Sequence, residues 1–173
     1  MKNDYKILGD TTIIYLRRKN GEVLETLIDT SDLPKLKEFN KTWSAHFAPN
    51  TNSFYAVSSI RVRKKQKAVW LHRYLLEVAD GKVTDHKNHD TLNNKRENLR
   101  ILTNAENLQN KKGPNRNNTS GVRGVTRVKG SNKWRAKIGF QGKKIHVGYF
   151  DDLKEAEKAV IEARRKYLPY STN

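Results

Sequence analysis

Three observations predict an α+β fold in two units. Over residues 1–112, β-rich runs alternate with short amphipathic segments. Residues 121–173 read as a small set of strands followed by one long amphipathic helix. Between them lies the polar stretch 113–120, with Gly113 and Pro114 and almost nothing apolar, which reads as a basic linker. The expected bounds are 1–112 for a scaffold with a functional core at 71–112, and 121–173 for a second module.

Thr11 to Leu16 is β-rich, and Asn20-Gly21 precedes Val23 to Ile28. Asn-Gly between two such runs is a strong hairpin signal, because both turn residues tolerate positive φ. Ser31 or Asp32 is placed to cap a short helix with Pro34 in its first turn, running to about Phe39. Phe54 to Val62 and Ala68 to Leu71 read as strands around the basic turn 63–67, and Leu71, Leu75 and Val78 share one helix face that Gly81 ends. Residues 1–70 show no chemistry of their own. They read as a scaffold, with residues 61–67 as a candidate DNA contact. Val83 to His86 and Arg100 to Leu102 suit two short strands. Thr103 with Glu106 makes a capping box, so a helix should begin near Asn104 and carry Asn107 in its first turns.

Composition narrows the partner. A net charge of +17, from 35 Lys+Arg against 18 Asp+Glu, points to a polyanion. The charge is uneven. Residues 1–60 hold 8 basic and 7 acidic groups, whereas 107–150 hold 11 basic groups (Lys111, Lys112, Arg116, Arg123, Arg127, Lys129, Lys133, Arg135, Lys137, Lys143, Lys144) and no acidic one. The basic stretch alternates like paired strands and lacks an amphipathic basic helix, which favours nucleic acid over a membrane surface. No apolar run approaches the roughly 20 residues of a membrane span, and the polar start Met1-Lys2-Asn3-Asp4 is unlike a signal peptide. The absence of cysteine excludes disulfides and thiolate zinc sites. Cytoplasmic location, with no membrane or protein partner and a monomeric state, is the expectation.

The chemistry concentrates in Asp85-His86, Asn98-Leu99-Arg100 and Asn107. A carboxylate, an adjacent imidazole and a carboxamide on the next helix are the groups that hold one divalent ion and activate water against a phosphodiester. Alone, an Asp-His pair reads as an ordinary turn. The three elements at intervals of 12 (86 to 98) and 9 (98 to 107) residues resemble the HNH (ββα-metal) endonucleases, particularly the phage and homing type, and Leu71-His72-Arg73-Tyr74-Leu75 resembles their lead-in helix. The resemblance covers about 40 residues. It implies that Asp85 and Asn107 ligate one cation, Mg²⁺ first and Mn²⁺ second, because carboxylate and carboxamide oxygens are hard ligands. It also implies that neutral His86 is the general base, and that Asn98 is the middle asparagine, which braces the loop and orients the histidine. Many relatives have His in place of Asp85 or Asn107, and the zinc staple of some is missing. His72 is expected to be a buried packing histidine, and Asn93 and Asn94 to be turn residues.

In the second module, residues 134, 136, 138 and 140 are apolar and alternate with Lys133, Arg135, Lys137 and Gly139. Gln141-Gly142 turns the chain into a strand where Lys144 and His146 oppose Ile145, Val147 and Tyr149. Leu153, Ala156, Val160, Ala163 and Tyr167 form a helix stripe, with Asp152 and Glu155 at its start, Arg164, Arg165 and Lys166 at its end, and Pro169 beyond. Arg123-Gly124-Val125, Lys133-Trp134-x-Ala136, Val147-Gly148-Tyr149-Phe150 and Glu155-Ala156 resemble the plant Apetala-two (ethylene-response-factor) DNA-binding domain. That domain would set a three-stranded sheet in the major groove of double-stranded DNA. Arg123 and Lys144 match DNA-contacting positions in that family. Arg135 and Lys137 follow from strand alternation, and Arg127, His146, Arg116, Lys111 and Lys112 complete the expected DNA-binding set. Trp134 and Phe140 belong to the core. The combined expectation is a metal-dependent HNH DNA endonuclease with a C-terminal DNA reader. The alternative is a DNA-binding regulator that does not cut, and RNA is disfavoured because its major groove is too narrow to read.

Overall fold

A computed structural model describes residues 1–111 and 113–171. The fold is α+β and divides into two compact units, Met1–Asn104 and Ala105–Asn173. Residues 113–120 therefore fall inside the second unit, where Asn118 Nδ2 donates to the carbonyls of Val122 and Val125 and Ser120 Oγ to that of Val125. Lys112 lies outside the described residues.

The first unit opens with strands β1 (Tyr5–Leu8), β2 (Thr11–Arg17) and β3 (Val23–Asp29), an antiparallel sheet in chain order. β2 alternates strictly, burying Thr12, Ile14 and Leu16 on one face. Helix α1 (Leu33–Phe39) begins at Pro34's fixed φ, as its position in the sequence predicts. Asp32 precedes the helix but makes no capping bond. Its carboxylate instead takes a bidentate pair from Arg96, which raises the guanidinium pKa. A second antiparallel sheet follows: β4 (Ser44–Ala48), β5 (Ser53–Val62) and β6 (Lys65–Trp70). The sequence reading missed β4 and started β6 three residues late. The polar Lys65-Gln66-Lys67 pairs with Val62, Arg61 and Ile60, and only Arg63 and Lys64 form the turn, both left-handed (φ 46° and 64°). A two-residue turn of that handedness matches the twist of its strands.

Helix α2 (Leu71–Leu76) buries Leu71 and Leu75 against Ile14, Leu16, Ile28, Leu36, Trp43 and Ala56, forming the core of the unit. Then come the hairpin strands β7 (Val83–His86) and β8 (Leu99–Leu102), paired His86 to Leu99 and Asp85 to Arg100. Helix α3 (Asn104–Asn107) starts where the capping box predicts.

In the second unit, β9 (Val125–Arg127), β10 (Trp134–Phe140) and β11 (Lys143–Phe150) form an antiparallel sheet with β10 in the middle. Helix α4 (Leu153–Tyr167) covers one face and buries Val125, Ala136, Ile138, Ala156 and Val160 with it. Asp152 caps the helix by accepting from the amides of Lys154 and Glu155, a bond of about 1 kcal/mol. Trp134 packs at the edge of this core, and Phe140 meets Tyr167 at 6.1 Å. Gly124 must be glycine: at φ +85° a Cβ would sit 2.6 Å from the Lys137 carbonyl. No described helix is long and apolar enough to cross a membrane.

Candidate active site and nucleic-acid interface

The loop between β7 and β8 is held by the scaffold rather than by itself. Leu27 donates its amide to the Leu92 carbonyl and accepts from Asn94, giving a short parallel bridge to β3. Thr91 Oγ1 bonds the Phe54 carbonyl, and the Arg96 amide bonds Asp29 Oδ2 at 2.7 Å. Asn98 braces the loop from within. Its Nδ2 donates to the Asn93 carbonyl (2.8 Å) and its Oδ1 accepts from the Asn88 amide (3.1 Å). Segment 1–70, read from the sequence as lacking chemistry, supplies most of the anchors of this loop.

The residue that reaches His86 is Asn94, not Asn98. Asn94 is fully buried, and its Oδ1 lies 3.2 Å from His86 Nε2. The network fixes which way the amide points. Thr26 Oγ1 gives its hydrogen to the Leu92 carbonyl at 2.7 Å, so that oxygen must accept from Asn94 Nδ2, 2.8 Å away. Flipping the amide would set two acceptors against each other. Asn94 Oδ1 therefore faces the imidazole, Nε2 carries the proton and donates, and the ring's lone pair belongs to Nδ1. A turn asparagine at this position would be exposed. The tie to Thr26, 68 residues upstream, has no local sequence signal.

Burial lowers the His86 pKa, against the opposing pull of the Asn94 hydrogen bond, Asp85 and Asp90. The ring is 5% exposed and neutral at neutral pH, the form a base needs. His72 is a buried packing residue, with its ring 5.1 Å from that of His86 and its pKa pushed down to about 3 by burial first and then by His86 and Arg73. Tyr55 packs across both histidines.

Asp85 pairs with Arg100 across the hairpin: Nε and Nη2 both reach Oδ2, at 2.8 and 2.7 Å. The side chains are 12% and 16% exposed, so the pair sits at the rim of the site. Among the described residues no three His, Cys, Asp or Glu side chains gather into a metal cluster. The Asp85 carboxylate is a hard oxygen donor of the kind a divalent ion such as Mg²⁺ takes. Asn107, half-buried at the end of α3, belongs to the second unit.

In that unit, Arg135, Lys137, Lys144 and His146 lie on the sheet face opposite α4, with Lys137 paired to His146 and Gly139 to Lys144. Two expected DNA-binding residues sit elsewhere. Arg123 bonds the carbonyls of Leu108, Gln109 and Lys111 (3.1, 3.1 and 2.6 Å), and burial lowers its pKa. Arg127 shares the Val125 side of β9, stacked 5.1 Å over the Trp134 ring. Arg116 is exposed, and Lys111 Nζ bonds Asn115. Arg164, expected at the helix end, is buried, with its guanidinium on the Arg123 carbonyl.

No curated protein and no solved structure matches the chain. Residues 69–109, which span α2, the β7–β8 hairpin and α3, match the family model described as HNH endonuclease, and this supports an HNH domain of nuclease type in this chain.

Proposed function

We propose that the chain is a metal-dependent DNA endonuclease of the HNH type. The observation that carries this reading is the Thr26–Asn94–His86 chain, which presents a neutral imidazole with its lone pair on Nδ1 next to the Asp85 carboxylate. His86 Nδ1 takes the proton of the attacking water, and Asn94 stabilises the resulting imidazolium through Nε2–H. Asp85 would supply the anionic ligand for one divalent cation, and Asn107 is the second oxygen donor that the HNH resemblance implies. Mg²⁺ is favoured and Mn²⁺ is the substitute. The bound cation would polarise a phosphate oxygen and stabilise the leaving 3′ oxygen. Arg100 aligns the carboxylate through its two nitrogens on Oδ2.

The substrate is double-stranded DNA, consistent with the +17 charge. The β9–β11 sheet is the reader, an Apetala-two-like module whose Arg135, Lys137, Lys144 and His146 approach the duplex. Tethered to the nuclease, it raises affinity by making the second contact intramolecular. A phage homing-type enzyme that acts as a monomer fits this organisation.

Supercoiled plasmid incubated with the protein and Mg²⁺ should become nicked or linear, and EDTA should prevent it. His86→Ala should cut at least about 10²-fold more slowly while binding DNA with unchanged affinity. Cutting by His86→Ala at the wild-type rate removes His86 as the base. A plasmid that stays supercoiled with the wild-type protein favours the regulator reading.

A further inference from the structure

We infer that the outer face of the β4–β5–β6 sheet is a second DNA-contacting surface, running from the catalytic histidine to the β5–β6 turn. The inference rests on the nuclease reading for its substrate. Strand register divides the sheet cleanly. Ala45, Ala56, Ser58 and Val69 face the core, whereas His46, Tyr55, Val57, Ser59 and Arg61 face outward. Tyr55 joins that outer face to the site: its ring lies 6.1 Å from His86 and 5.4 Å from Trp70, which in turn meets His46 at 5.6 Å. Beyond the rings an open cleft of about 460 Å³ is lined by the small Ser44, Ser59 and Ala68, with Val57 between them and Gln66 toward the turn. Small side chains over most of this floor let a sugar–phosphate backbone lie close to the strands.

Cations stand at the far end. Arg61 is on the outer face, Arg63 and Lys64 form the tip, and Lys65 and Lys67 alternate with them; all are exposed. No Asp or Glu occurs between Glu38 and Glu77, so nothing in this sheet neutralises them. A solvated face normally mixes signs; this one carries a single sign on the same face as the base. Tyr55 to Val62, the last strand residue before the turn, spans seven residues of extended chain, roughly 23 Å at about 3.3 Å per residue. That equals about seven base pairs at a rise of about 3.4 Å. The turn would therefore grip phosphates about seven base pairs from the scissile bond.

The test uses the full chain in EDTA with a 40-base-pair duplex, reading fluorescence anisotropy across a salt series. The triple variant R61A/R63A/K64A should bind at least about tenfold more weakly at 150 mM salt, with the slope of log K against log salt reduced by about 2–3. The variant K65A/K67A, on the other side of the turn, should stay within about threefold of wild type. An unchanged slope in the triple variant, or an equal loss per charge in K65A/K67A, overturns the inference. Because the chain has no cysteine, K64C takes a single tethered iron–EDTA group. Its scission should centre about seven base pairs from the enzyme's own nick, and scission at the nick or spread evenly along the duplex overturns the placement. The binding arm needs no cleavage, so an inactive protein would sink the nuclease reading and leave this surface judged on its own.

Discussion

The two units carry functional residues of opposite character. In the first, His86 and Asn94 are buried, and the loop that holds them is tied at Thr26, Leu27, Asp29 and Phe54. In the second, Lys144 and His146 stand exposed on an open sheet face. A base must be held in one tautomer and one orientation, because small misplacements cost rate. A phosphate contact needs only charge and reach. On the proposed reading, burial with hydrogen bonding therefore goes with the base, and exposure goes with the DNA-binding face.

The sharpest way to break this contrast is to loosen the first unit without touching the imidazole. Asn94→Ala removes the acceptor on His86 Nε2, and cleavage should slow by about 10–100-fold, while affinity for DNA stays within about twofold. Thr26→Val, one link further out, should cost less. The specific readout is ¹⁵N NMR of the histidines: wild type should show His86 protonated at Nε2, and Asn94→Ala should show a tautomer mixture. A rate loss with the tautomer unchanged would reduce Asn94 to packing.

How much of this was legible in the sequence follows from range. The β2–β3 hairpin, α1, the β7–β8 pair, the start of α3 and the stripe of α4 are written in local patterns, and their boundaries agree with the structure to within one to three residues. The Asp85-His86 to Asn107 spacing is likewise a local signal, and it lies within the residues that match the HNH family. What was illegible is what crosses the chain. Nothing near Asn94 announces Thr26, and nothing near Asp32, which has the form of a helix cap, announces Arg96. Arg123 shows the same limit from the other side, since a motif position cannot say whether a guanidinium meets phosphate or its own backbone. β1 and β4 escaped because their side chains are largely exposed and carry no clean alternation.

Acid offers a second, smaller break, confined to the first unit. The His72 pKa, at about 3 when folded against about 6.5 when unfolded, and the lowered pKa of His86 act in the same direction. Between those values the unfolded chain binds more protons, so stability is complete above about pH 6.5 and falls as the pH drops. Between pH 7 and 5 the unfolding free energy should decrease by about 2 kcal/mol, read by denaturant titration. His72→Phe should flatten that decline, and an unaltered decline would assign it to other groups.

The second unit sharpens the comparison through two kinds of cation. Lys137 and Lys144 lie on the sheet face away from α4, so replacing both with Ala should weaken DNA binding by up to about tenfold. It should also lower the salt slope by about 2 if each meets a phosphate. Arg123 is basic as well, but its guanidinium is committed to three carbonyls and its own carbonyl receives Arg164. Arg123→Ala should leave the salt slope unchanged and lower the melting temperature, because it removes three hydrogen bonds to backbone carbonyls, each worth about 0.5–1.5 kcal/mol. If Arg123→Ala lowered the slope and the two lysines did not, the DNA-facing surface would lie on the other side of this unit, and the open sheet would be an ordinary solvated face.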